Sequence, residues 1–87
     1  MTKKTIAVIV RSADPARIAE ALRGAVGLTL RGDRVQVAIA DAAAAHSGDR
    51  AIVRAVATLT SFGYPVGSGD AAVAAALREA DAIEVWS

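Results

Sequence analysis

Thr5-Ile-Ala-Val-Ile-Val10 and Arg34-Val-Gln-Val-Ala-Ile-Ala40, together with what separates them, decide the fold. The first is a continuous run rich in β-branched residues, the pattern of a strand buried on both faces. The second alternates at its start and then turns apolar, which reads as another strand. Between them, Asp14-Pro15 opens a helix: Asp supplies an N-cap acceptor, and Pro tolerates the first helical position because its missing N–H would be unpaired there. Ile18, Leu22, Ala25, Val26 and Thr29 then fall on one helical stripe, and Gly32 stands where a left-handed residue ends the helix. Gly24 and Gly27 lie inside this helix at a cost in propensity and read as places for close packing on the sheet. Strand, helix and parallel strand within about 35 residues form a βαβ unit, whose crossover is right-handed in nearly all proteins.

The rest of the chain extends that unit. Asp41 to Asp49 is an Ala-rich loop or short helical turn carrying His46, Ser47 and Gly48. A helix follows from Asp49 to Phe62, with Ile52, Val56 and Leu59 on its inner stripe and Gly63 as its stop. Tyr64-Pro65-Val66 contains a proline and reads as a stub of strand at best. Gly67-Ser68-Gly69 turns the chain, Asp70 caps a third helix, and Val73, Ala76, Leu77 and Ala80 line its inner face. Ala82 to Trp86 is the last strand. The order β-α-β-α-β-α-β predicts one α/β domain over residues 1–87, with a mostly parallel sheet of about four strands and helices on both faces.

Composition narrows the function classes. The apolar fraction is 54%, but much of it is alanine, and there is one Phe, one Tyr, one Trp and one Met among 87 residues. Burying a Leu or Ile gains roughly 1.5–3 kcal/mol, and an alanine methyl only a fraction of that. A chain this small and Ala-rich is marginal as a monomer, so a homo-oligomer, or a hetero-oligomer with related subunits, is expected. The net charge of +1, with basic residues scattered, lacks the basic stripe of a nucleic-acid binder. No apolar run approaches the roughly 20 residues that span a bilayer. Lys3 and Lys4 precede an apolar stretch, Ile6 to Val10, too short for a signal peptide, so a cytoplasmic protein is expected. The chain has no cysteine, which removes disulfides, thiolate metal sites and cysteine nucleophiles together.

In open parallel sheets, ligands sit beyond the carboxyl ends of the strands. Three loops would meet there: Arg11 to Asp14, Asp41 to Asp49, and Val66 to Asp70. Their candidate ligand-binding residues are Arg11, Ser12, Asp41, His46, Gly67, Ser68 and Gly69. The Gly67-Ser68-Gly69 turn opens a helix whose N–H groups could hold an anion, with Arg11 or Arg50 assisting. Asp70 would repel a phosphate, and a plain turn with its cap is the preferred reading. His46 is the one histidine; on its own it cannot build a metal site, and Asp41 and Asp49 lack ligand spacing. Neither a catalytic residue, a metal ligand nor a cofactor site is assigned, and a solvated loop histidine is preferred over a catalytic one. Trp86, beside the last residue, reads equally as a core plug or an interface anchor.

The stretch Ala19-Glu-Ala-Leu-Arg-Gly-Ala-Val-Gly-Leu-Thr-Leu-Arg-Gly-Asp-Arg-Val-Gln-Val-Ala-Ile-Ala-Asp-Ala42 resembles the DsrE/DsrF/DsrH (TusBCD) group of small proteins, with an Ala-rich first helix, a Gly before a short strand and Asp-Ala after it. The later elements are also similar in order, and the closing Val85-Trp86 resembles the ends of some DsrH-type subunits. The resemblance implies a flavodoxin-like three-layer α/β/α fold and oligomeric assembly. Sulfur-carrying members relay persulfide sulfur on a cysteine in the turn that corresponds to Val66-Gly67-Ser68-Gly69. A serine oxygen cannot form a persulfide. The resemblance therefore implies a non-catalytic accessory or structural subunit, associated with sulfur-relay or sulfur-oxidation partners. The alternative is a small-ligand module that binds a nucleotide or another anion through the strand-end loops.

Overall fold

The computed structural model describes residues 4–87, so Lys3 of the basic pair lies outside the described residues. The β-branched run forms β1 (Thr5–Val10), and Asp14 caps α1 (Pro15–Leu30) by accepting a hydrogen bond from the Ala16 N–H. After Gly32, whose φ is +96°, come β2 (Arg34–Ile39) and a single turn of helix, α2 (Ala42–Ala45). Asp49 caps α3 (Arg50–Ser61) through the N–H groups of Ala51 and Ile52. The remaining elements are β3 (Val66–Ser68), α4 (Asp70–Glu79) and β4 (Ala82–Trp86).

The four strands form one sheet in the order β3-β2-β1-β4, with every pairing parallel. The chain steps from β1 to β2 to β3 in one direction, then α4 carries it back across the sheet to place β4 on the far side of β1. Side chains alternate along a strand, and the two faces are covered by different helices. Val8, Val10, Val37 and Ile39 pack against Ile18 and Leu22 of α1 and Ile52 and Leu59 of α3. On the opposite face, Ala7, Ile9 and Ala38 pack against Val73 and Ala76 of α4. The result is a three-layer α/β/α domain. Its order 3-2-1-4 matches the first four strands of the dinucleotide-binding order 3-2-1-4-5-6, whereas flavodoxin runs 2-1-3-4-5, so the likeness to flavodoxin is one of layers.

Three local expectations are corrected. The third strand is not at Tyr64-Pro65-Val66 but at Val66–Ser68, because Val37, Ala38 and Ile39 of β2 pair with Val66, Gly67 and Ser68. Pro65 immediately precedes it, a position an edge strand tolerates. With the strand running through Ser68, the turn contracts to Gly69 (φ +87°), which takes the cap position of α4. Asp70 becomes the first helical residue, where its charge meets the positive end of the helix dipole. Leu77 does not line the inner face: it is 41% exposed, while Val73 and Ala76 are buried.

Candidate functional site

The carboxyl ends of the strands do gather the loops named from the sequence, but they divide the candidate residues into two groups. At the switch between β1 and β4, the Arg11 N–H donates to the Trp86 carbonyl at 2.7 Å. The Ser12 hydroxyl accepts from the Asp14 N–H at 3.0 Å, which fixes the entry to α1. The Arg17 guanidinium lies 5.0 Å from the centre of the Trp86 ring and donates to the Ser87 carbonyl at 3.0 Å. Such a cation over an indole face is worth about 0.5–1 kcal/mol at an exposed site. The indole Nε1 donates to Glu84 at 2.8 Å. The chain's own groups occupy this switch point.

Trp86 is half-buried and packs at the edge of the larger core cluster. A Cβ on Gly24 would stand 3.3 Å from its ring, so this glycine gives the indole room against α1. Gly27 has no such reason: nothing lies within 4 Å of where its Cβ would be. The expectation that both glycines serve close packing on the sheet holds only for Gly24, and there through Trp86.

The second group lies beyond β2 and β3. His46 Nε2 and the Ser68 hydroxyl are 3.3 Å apart, joining residues 22 apart in the chain. Both border a cleft of about 470 Å³ with Ile39, Ile52, Val56 and Val66 on its walls. Among the described residues, no hydrogen bond links this pair to Arg11 or Ser12. The Asp41 carboxylate accepts from the Ala44 N–H and caps α2. Gly69 donates from its N–H to the Ile39 carbonyl at 2.9 Å, closing the strand end. Gly67 is needed for packing: a Cβ there would come within 2.8 Å of the Ala72 Cβ on α4.

Chemically, the cleft offers an imidazole and a hydroxyl in contact beside an apolar wall. A nucleophilic pair also needs a third group to orient the imidazole. The nearby carboxylates, Asp41 and Asp49, both accept from helix-start N–H groups. Among the described residues, no group of three or more acidic or histidine side chains is placed to hold a metal ion. No helix among them is long and apolar enough to cross a membrane.

Two surfaces were not singled out from the sequence. Ile83 and Val85 are 53% and 54% exposed. Their register opposite Ala7 and Ile9 puts them on the α4 side of the sheet. Ala72 meets Gly67 of β3 and Glu79 bonds Gln36 of β2, so the opposite flank of α4, that of Leu77, turns toward β4. The alternation Ile83-Glu84-Val85 is the signal a half-covered strand gives. The other surface is a groove of about 810 Å³ between α1 and α3, edged by Arg23, Arg50 and Arg54. The i, i+4 spacing of Arg50 and Arg54 on α3 is its sequence signal.

These features define a small three-layer α/β protein with an all-parallel sheet and one uncovered strip of it. No family model, curated protein or solved structure matches the chain.

Proposed function

We propose that this chain is a non-catalytic subunit that works by association, joining a second copy or a related chain through β4 and the uncovered face beside it. One observation carries the reading. All-parallel sheets are found with both faces covered, and here α4 covers β1 to β3 while Ile83, Val85 and Leu77 stay exposed over β4. β4 is also an edge strand, with one side of its backbone unpaired among the described residues. Glu84 projects from the same strand toward the α1 side, where its carboxylate holds the Trp86 indole. A charge at that place disfavours indiscriminate edge pairing and leaves the apolar face as the attractive element.

Size-exclusion chromatography with light scattering at micromolar concentration tests this. The wild type is expected to run as a dimer or larger, and Ile83→Lys with Val85→Lys as a monomer. A monomeric wild type sinks the second-copy form of the proposal. The narrower form follows the resemblance over Ala19–Ala42: an accessory DsrE-like subunit beside sulfur-relay proteins. With no cysteine, it cannot itself hold sulfur as a persulfide. Co-purification from the native host is expected to bring down a sulfur-relay partner, and an unrelated set of partners overturns this narrower form alone.

The His46–Ser68 cleft favours a second reading, a small-ligand module. It predicts thermal stabilisation that grows with ligand concentration, as linkage requires, and disappears in Ser68→Ala and His46→Ala. A flat response across nucleotides and inorganic anions removes it.

A further inference from the structure

We infer that the groove between α1 and α3 is a docking site for an acidic amphipathic helix of a partner protein. It lies on the layer opposite the α4 side, so the inference stands whether or not the β4 face assembles. Two observations point to an external occupant. The first is charge. Arg23 on α1 faces Arg50 and Arg54 on α3 across the groove, and among the described residues none of the three guanidiniums has a hydrogen bond or ion pair. Arg17 and Arg31 of the same layer each pair with a neighbouring carboxylate. The one acidic group in the lining, Asp49, is engaged in capping α3.

The second is Gly27. In the middle of a helix, glycine is among the least favourable residues. Gly24 is accounted for by Trp86, but the space over Gly27 is open and no contact among the described residues demands it. Gly27 lines the groove, where the missing side chain lets another backbone or side chain come close. Val26, Ala51 and Ala55 give the floor an apolar character, and Leu30 stands 75% exposed at one end.

The dimensions fit a helix. The lining runs from Arg23 to Leu30 on α1 and from Arg50 to Thr58 on α3. At 1.5 Å per residue, that is about two helical turns on either side. Such a groove takes the apolar stripe of a helix on its floor while carboxylates on the helix flanks meet the arginines. Symmetric self-pairing through the same groove would set three guanidiniums against three more, which excludes a second copy in that arrangement. A nucleic acid fits less well, since no aromatic side chain lines the groove for bases to stack upon.

The probe is a fluorescent designed peptide of about three helical turns, with Leu and Ala on one stripe and Glu on both flanks, titrated into the full chain at low salt and followed by anisotropy. Saturable binding is expected, at least about tenfold weaker to Arg50→Glu with Arg54→Glu and to Gly27→Leu. Gly27→Ala is expected to raise Tm, and the fold of each variant is checked by its thermal transition. A peptide with every Glu replaced by Gln is expected to lose binding. Absence of saturable binding overturns the inference. So does unchanged binding to Gly27→Leu, which would reduce the effect to diffuse attraction between charges, or tighter binding of a random DNA duplex than of the peptide.

Discussion

The two faces of the sheet are built from different materials. The face under α1 and α3 is a layer of Val, Ile and Leu: Val8, Val10, Ile18, Leu22, Ile39, Ile52 and Leu59 are all buried there. The face under α4 is mostly alanine, with Ile9 and Val73 its only large buried members among the described residues. Burial scales with apolar area, so the first face carries most of the folding free energy and the second is thin. The thin face is also the incomplete one, stopping short of Ile83 and Val85. Small side chains let α4 approach closely, which is why Gly67 must meet Ala72 without a Cβ. The difference separates a stability layer from a layer that depends on close fit and leaves Ile83 and Val85 exposed.

The largest effect expected is on the aliphatic face. Leu59→Ala or Leu22→Ala removes a fully buried side chain and should cost about 2–5 kcal/mol, read as a fall in the urea midpoint. On the thin face, Val73→Ala should cost less, roughly 1.5 kcal/mol. Equal losses at Leu59 and Val73 would break the ranking of the two layers. Gly67→Ala tests close fit instead of area. Its new Cβ must displace Ala72, so about 1–3 kcal/mol is expected from overpacking. Ala72→Gly in the same chain should return part of that loss, measured as the coupling in a double-mutant cycle. No coupling would mean that α4 simply shifts.

The aliphatic face was the legible one. The run Thr5–Val10, the stripe of Ile18 and Leu22, and the stops at Gly32 and Gly63 fixed β1, α1 and α3 because period and punctuation agree there. β3 starts two residues later than the sequence predicts, because three residues carry no period. Its position comes from pairing with Val37 to Ile39, a tertiary choice. The same pairing moved the α4 cap from Asp70 to Gly69. The sequence puts Leu77 inside because Val73, Ala76, Leu77 and Ala80 share a helical arc. Which flank of that arc meets a strand depends on the sheet order, and α4 ends short of covering β4. The candidate site shows the same limit. Its loops follow from the βα alternation, but the His46–Ser68 contact, and the separation of that pair from Arg11 and Ser12, depend on how the strands are arranged.

The smallest stability change is expected where the thin face is bare, and there the smallness is informative. Ile83→Thr with Val85→Thr keeps β-branched side chains on β4, so strand propensity is nearly unchanged. Both residues are more than half exposed, and a surface substitution of this kind moves the stability of an isolated domain by no more than about 0.5 kcal/mol. If the chain associates through this strip, the same pair of substitutions removes apolar area from an interface, and the loss appears only in the concentration-dependent part of Tm. Measuring Tm for wild type and variant over a wide range of protein concentration separates the two. The curves should converge at the dilute end and diverge as concentration rises. Parallel curves, offset by a constant amount, would mean that Ile83 and Val85 contribute to the fold of one chain and that the thin face is complete as it stands.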